Sequence, residues 1–188
     1  MKSEKDILKI KNTLLYLLNK YNKEIDYITV FKLLYLAQKK HLKIYGLPIF
    51  KDDFYAFSAG PAPSITYNIC KIVDGVVSKN SKIYKELKPY SDFIEIITKE
   101  KGEREIKYIK TDKIAETIRL SKSNIKILDE VYERYHKYSP SKLSTITHDS
   151  AWHKNWDENK PDKIKIIPLS DIAQAAGVSK ALLEYITD

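Results

Sequence analysis

The stretch from Phe31 to Pro61, FKLLYLAQKKHLKIYGLPIFKDDFYAFSAGP, admits few folds. Ile28, Phe31, Tyr35, Leu42 and Tyr45, with Gln38 between them, follow the alternating three and four spacing of one helical face. Lys32, Lys39, Lys40 and Lys43 fall mostly opposite, so the pattern predicts a core helix with one wet side. Gly46 can adopt the left-handed conformation that ends a helix, and Pro48 prevents the chain from resuming it. An aromatic segment follows and closes on a second break at Gly60-Pro61.

A helix this apolar needs partners, and the flanking sequence offers them. Ile7, Ile10, Leu14, Leu17 and Tyr21 predict an opening helix from about Lys5 to Tyr21, capped by Ser3 or Asp6. The short connection Asn22 to Ile25 makes it a near-antiparallel neighbour of the helix that begins near Asp26. Pro63 and Ser64 are helix-start residues for a third helix reaching Asp74-Gly75, and Cys70 reads as a small buried apolar group within it. From Val76 to Tyr90 the pattern weakens to a connection with a short helix near Ile83 to Leu87.

Asp92–Thr98 and Arg104–Ile109 are β-rich runs around KEKGE, the arrangement of a hairpin with Gly102 in its turn. A two-stranded ribbon is marginal alone, so a third strand is expected, with Leu47 to Phe54 as the candidate. Helices then resume at Asp112–Ser121 and Ser123–Tyr138, and Ser139-Pro140 interrupts before a short helix at Ser141–His148. After Pro168, with Ser170 as cap, a last pair of short helices is expected around Gly177. The fold class expected is therefore α+β, predominantly helical, with a small antiparallel β element in a single domain over residues 1–188.

Composition narrows the function. The formal charge is +8, but 30 of the 33 basic residues are lysine, whereas base and phosphate recognition favours the arginine fork. Nucleic acid is accordingly not expected as the main partner. A single cysteine excludes an internal disulfide and a multi-cysteine zinc site and fits a reducing cytosol. With no run of about 18 apolar residues and no leader pattern, neither a membrane span nor a secretory signal is expected, and the location expected is cytoplasmic.

Candidate chemistry concentrates in THDSAWHKNWD, residues 147–157. Ser144 and His148 are four apart, as a nucleophile and its base could be, but no elbow glycines surround the serine. No metal-ligand spacing such as HExxH or CxxC occurs. FSAGPAPS lacks the glycines and lysine of a phosphate cradle and reads as a rigid corner, suited to core or protein contact. The alternative reading is a DNA-binding regulator: Ile172 to Ser179 has the outline of a helix-turn-helix, although its second helix, SKALLEYITD, carries one lysine and ends acidic.

Two ordered motifs carry a resemblance. The first is KLLYLA at Lys32–Ala37, then Tyr45-Gly46 and the Leu-Pro-Ile turn, Asp53 to Phe57, Gly60-Pro61 and Tyr67. The second is Leu143, Ser144, Thr147 and His148 with Trp152 following. Together they resemble the signature of the Panacea domain, the SocA-like antitoxin family also met as phage-associated proteins. Phe57 stands where tryptophan is common, Ala62 where valine is expected, and Trp152 follows His148 one residue early.

The resemblance implies a mainly helical antitoxin that neutralises a cognate toxin, encoded by an adjacent gene, through direct binding. At least one member instead delivers its toxin to a protease, which makes a protease a second implied partner. It implies no catalytic residue, metal or cofactor. The positions carried over as family-motif or toxin-contact residues are Tyr35, Tyr45, Phe54, Tyr55, Phe57, Gly60, Pro61, Tyr67, Thr147, His148 and Trp152.

Overall fold

In a computed structural model of the chain, residues 2–21, 23–179 and 182–184 are described. The opening helix α1 (Glu4–Asn19) is capped by Ser3, which accepts from the Asp6 amide. A two-residue strand β1 (Ile25–Asp26) leads into α2 (Tyr27–Tyr45), whose cap is Asp26 and whose end is Gly46 at φ 66°. The Gly46 amide donates to Leu42 at 2.8 Å, the expected left-handed stop.

Next come β2 (Phe54–Phe57), β3 (Gly60–Pro63), α3 (Ser64–Val73) and α4 (Lys82–Leu87). The predicted hairpin follows as β4 (Glu95–Lys101) and β5 (Arg104–Lys110). The chain continues through α5 (Lys122–Tyr135), α6 (Pro140–Thr147), α7 (Ser150–Asn155), β6 (Lys165–Ile167) and α8 (Leu169–Ala175). The class is α+β and predominantly helical, with two small antiparallel three-stranded sheets.

The helix at the centre is α2, and it differs from the expected amphipathic rod. Every residue from Thr29 to Gln38 is buried, because α1, α5, α6, α8 and β3 all contact it. Lys32, expected on a wet side, is 2% exposed. Lys39, also expected to be exposed, is half-buried. Solvent reaches the helix mainly at its ends, where Ile28 and Tyr45 of the expected core face are exposed.

The sheets correct two further expectations. The hairpin's third strand is β1, pairing Ile25 with Ile109 and Asp26 with Tyr108, and not Leu47–Phe54. Leu47 to Asp53 is irregular because side chains take its polar groups: Gln38 accepts from the Ile49 amide at 3.0 Å and His41 Nδ1 contacts the Leu47 carbonyl. The expected corner FSAGPAPS supplies the turn and second strand of a hairpin, β2–β3, in a sheet with β2 between β3 and β6. A Pro-rich strand is possible here because Phe57 and Gly60 flank a two-residue turn. The ladder alternation then puts the missing N–H groups of Pro61 and Pro63 on the edge facing away from β2.

Residues 112–121, expected as a helix, carry only a 3₁₀ turn at Thr117–Arg119. Asparagines on α1 hold this segment open: Asn12 accepts from the Glu116 amide at 2.7 Å, and Asn19 bonds the Ala115 amide and the Lys113 carbonyl. Ile114 and Ile118 point outward, 78% and 93% exposed, so no apolar face rewards a helix there. At the other end, α8 is preceded by Pro168 with no side-chain cap, so Ser170 lies inside the helix and does not cap it. Most of SKALLEYITD lies outside the described residues.

Candidate functional site

The two sequence motifs meet in one place, where α2, the β2–β3 hairpin and the α6–α7 junction come together. The α2 contribution begins with Lys32. Its ammonium group donates to the Pro61 carbonyl at 2.9 Å, on the edge of β3 that the prolines strip of donors. Burial lowers this amine from 10.5 to about 7, since nothing nearby offsets the lost hydration of its charge. One helical turn on, Tyr35 is fully buried and its hydroxyl donates to both Asp149 carboxylate oxygens at 3.1 Å.

Asp149 is the junction of the cluster. Its carboxylate caps α7 by accepting from the Ala151 and Trp152 amides at 3.1 and 3.2 Å. It also pairs with Lys39, so one carboxylate binds α2 to the start of α7. The burial around Tyr35 raises its phenol, with the Asp149 charge and hydrogen bond adding to the shift.

The α6–α7 corner presents His148 and Trp152. Their rings stack at 3.8 Å with 9° between planes, and the Trp152 indole N–H donates to the Phe57 carbonyl at 2.9 Å. His148 Nε2 is sealed from solvent and has no hydrogen-bond partner. Burial lowers its imidazole, and the neighbouring Lys32 and His153 act in the same direction. Gly60 lies against both the Lys32 amine and the His148 ring. A Cβ there would stand 2.9 Å from both Lys32 Nζ and His148 Cδ2, and the backbone is at φ 102°. Only glycine satisfies both conditions.

The remaining expected positions divide. Phe54 is buried edge-on to Tyr35 at 5.3 Å, and Tyr67 meets both Phe57 and Phe31 edge-on, at 5.4 and 5.8 Å. Thr147 is buried and its hydroxyl turns back to the Leu143 and Ser144 carbonyls. Tyr55 is half-buried on β2 between Ala62 and Ile166. Tyr45 stands apart, on the far end of α2 against His41.

Sequence reasoning passed over three residues that organise the cluster. The helical spacing places Lys32 on the solvent side, but its position inside the otherwise apolar run Val30–Ala37 is a sequence signal for burial. Asp149 precedes a short helix and so had the position of a cap. Asp52 is 6% exposed and accepts from the Ile65 and Thr66 amides, fixing α3 to the turn before β2, and burial raises its carboxyl to about 6.

The arrangement bears on chemistry. The Ser144 hydroxyl donates to the Ala59 carbonyl at 2.9 Å, so its proton is engaged with the hairpin and not with His148. Among the described residues no group of three or more His, Cys, Asp or Glu side chains is placed to hold a metal, and no helix is long and apolar enough to cross a membrane. No curated protein and no solved structure matches the chain significantly. The family model for the SocA-like antitoxin, Panacea domain, matches residues 30–153, from the first buried turn of α2 to α7, and therefore contains the whole cluster. With Lys32, the β2–β3 hairpin and the Asp149–Trp152 corner all inside that span, the chain belongs to the SocA-like antitoxin family and carries its Panacea domain.

Proposed function

We propose that this chain is the antitoxin of a toxin–antitoxin pair, acting in the cytoplasm as a single non-catalytic domain that neutralises its toxin by binding it. The observation that carries this reading is the family match over residues 30–153. The engaged hydroxyl of Ser144 supports a role without covalent catalysis.

The burial of the signature refines the expected contact surface. Tyr35, Phe54, Thr147 and Trp152 are each 4% exposed or less, so they build the scaffold and leave toxin contact to other, exposed residues. Co-expression with the product of the neighbouring open reading frame tests the proposal. Relief of growth arrest together with a co-purifying complex is the expected result; neither rescue nor complex would overturn it.

A further inference from the structure

Strand β5 is paired along its whole length by β4 but on its other edge only at Tyr108 and Ile109, by β1. The chain leaves that edge at Tyr27 because Asp26 caps α2 by accepting from the Thr29 amide and hydroxyl. Alongside Arg104 to Lys107, the edge therefore meets no strand among the described residues. Lys101 and Arg104 flank the two-residue turn Gly102-Glu103, with Gly102 at φ 64°, so this pair exchanges hydrogen bonds across the hairpin. The alternation then turns the backbone groups of Ile106 and Tyr108 toward β4 and those of Glu105 and Lys107 toward the vacant edge.

Beside that edge lies a groove of about 710 Å³ whose opposite wall includes Tyr27, Ile28, Tyr67 and Val76. Ile28 and Val76 are 36% and 61% exposed, and the buried Tyr27 hydroxyl has no hydrogen-bond partner. Backbone groups on one side and apolar surface on the other are what an added strand requires.

Charge selects the occupant. The groove's lining sets four cations, Lys71, Lys101, Arg104 and Lys107, against three carboxylates, Asp26, Asp74 and Glu105; Asp74 pairs with Lys107, and Asp26 keeps its charge while it caps α2. That leaves Lys71, Lys101 and Arg104 against Asp26 and Glu105, a surplus of one positive charge, with Lys101 and Arg104 flanking the turn at the end of the vacant edge. A second copy of this chain would set those cations against their equivalents, whereas an acidic segment would neutralise them. We propose that the vacant edge of β5 takes an extended, net-acidic segment of the toxin as an added antiparallel strand, continuing the line of β1. This rests on the antitoxin reading.

The test uses the full chain and the purified product of the neighbouring open reading frame. Amide hydrogen exchange at Glu105 and Lys107 is expected to slow in the complex. Glu105→Pro removes an outward N–H without touching the β4 ladder, and Lys101→Glu with Arg104→Glu reverses the charge; each is expected to raise Kd at least tenfold. The loss from charge reversal should shrink as salt rises. A complex in which neither the exchange nor the charge-reversed affinity changes overturns the edge proposal and leaves the antitoxin reading standing. Failure of the wild-type chain to bind or rescue overturns both. Should Glu105→Pro fail to fold, the exchange measurement on the wild-type complex and the charge reversal decide the matter.

Discussion

The ammonium nitrogen of Lys32 donates to the carbonyl of Pro61 at 2.9 Å, in a place where the lysine is 2% exposed. Pro61 and Pro63 have no N–H to offer on that edge of β3, so the edge presents carbonyls, and a buried amine is the donor that meets them. A signature lysine thereby ties the central helix to the hairpin 29 residues later.

That amine makes stability depend on pH. It is lowered to about 7 in the folded chain and stands near 10.5 in the unfolded one. Between those values the unfolded state binds more protons, so stability rises with pH across the window. Below about 7 both states are protonated and the dependence from this group vanishes. Urea unfolding at several pH values should show the wild type gaining on Lys32→Met by up to about 1.4 kcal/mol per pH unit within the window. Parallel profiles would mean that Lys32 is not held as a lone buried amine.

Gly60→Ala is expected to destabilise the fold by roughly 2–4 kcal/mol, combining a positive-φ penalty with overpacking against Lys32 and His148. Gly75, at φ 77° with nothing near its missing Cβ, provides the comparison. Gly75→Ala should cost about 1–2 kcal/mol, the backbone part alone. Equal losses in chemical denaturation would contradict the close packing at Gly60.

Asp149→Ala removes the α7 cap, the Tyr35 hydrogen bonds and the Lys39 pair together, and a loss of about 3–4 kcal/mol is expected. Tyr35→Phe alone should cost about 1–2 kcal/mol. The double variant should lose less than the sum, because both changes remove one interaction. Lys39→Ala should cost up to about 1 kcal/mol, while the exposed Lys43→Ala should stay within about 0.5 kcal/mol. A strictly additive Tyr35–Asp149 cycle in thermal or urea melts would show that the contact is energetically empty.

Cys70 is fully buried, and burial pushes its thiol well above the ordinary range. An aromatic disulfide reagent should therefore label it only as fast as the protein opens, and at once in denaturant. Rapid labelling under native conditions would place the thiol at the surface.

The features legible in sequence were those set within a few residues. Gly46 as a helix stop, Ser139-Pro140 as a break between two helices and Gly102 as a hairpin turn depend on local φ preferences and nearby hydrogen bonds, and the structure has all three. The order of the two motifs was legible for the same reason and located the family. Illegible were the strand GPAP, whose composition argues against a strand, and the segment 112–121, where asparagines 12 and 19 compete for the backbone.

The candidate site divides in the same way. Sequence by itself determined which side chains are present and two of the features that hold them: a helix bearing Lys32 and Tyr35, and a glycine break at 60. Only tertiary structure decided that Lys32 is inside, that His148 lies on Trp152, and that Asp149 answers both Tyr35 and Lys39. Periodicity ranks the faces of a helix by apolarity, but burial depends on how many elements surround it. With neighbours on every side of α2, even the face with a lysine loses its water, and that lysine must find its acceptor in the hairpin.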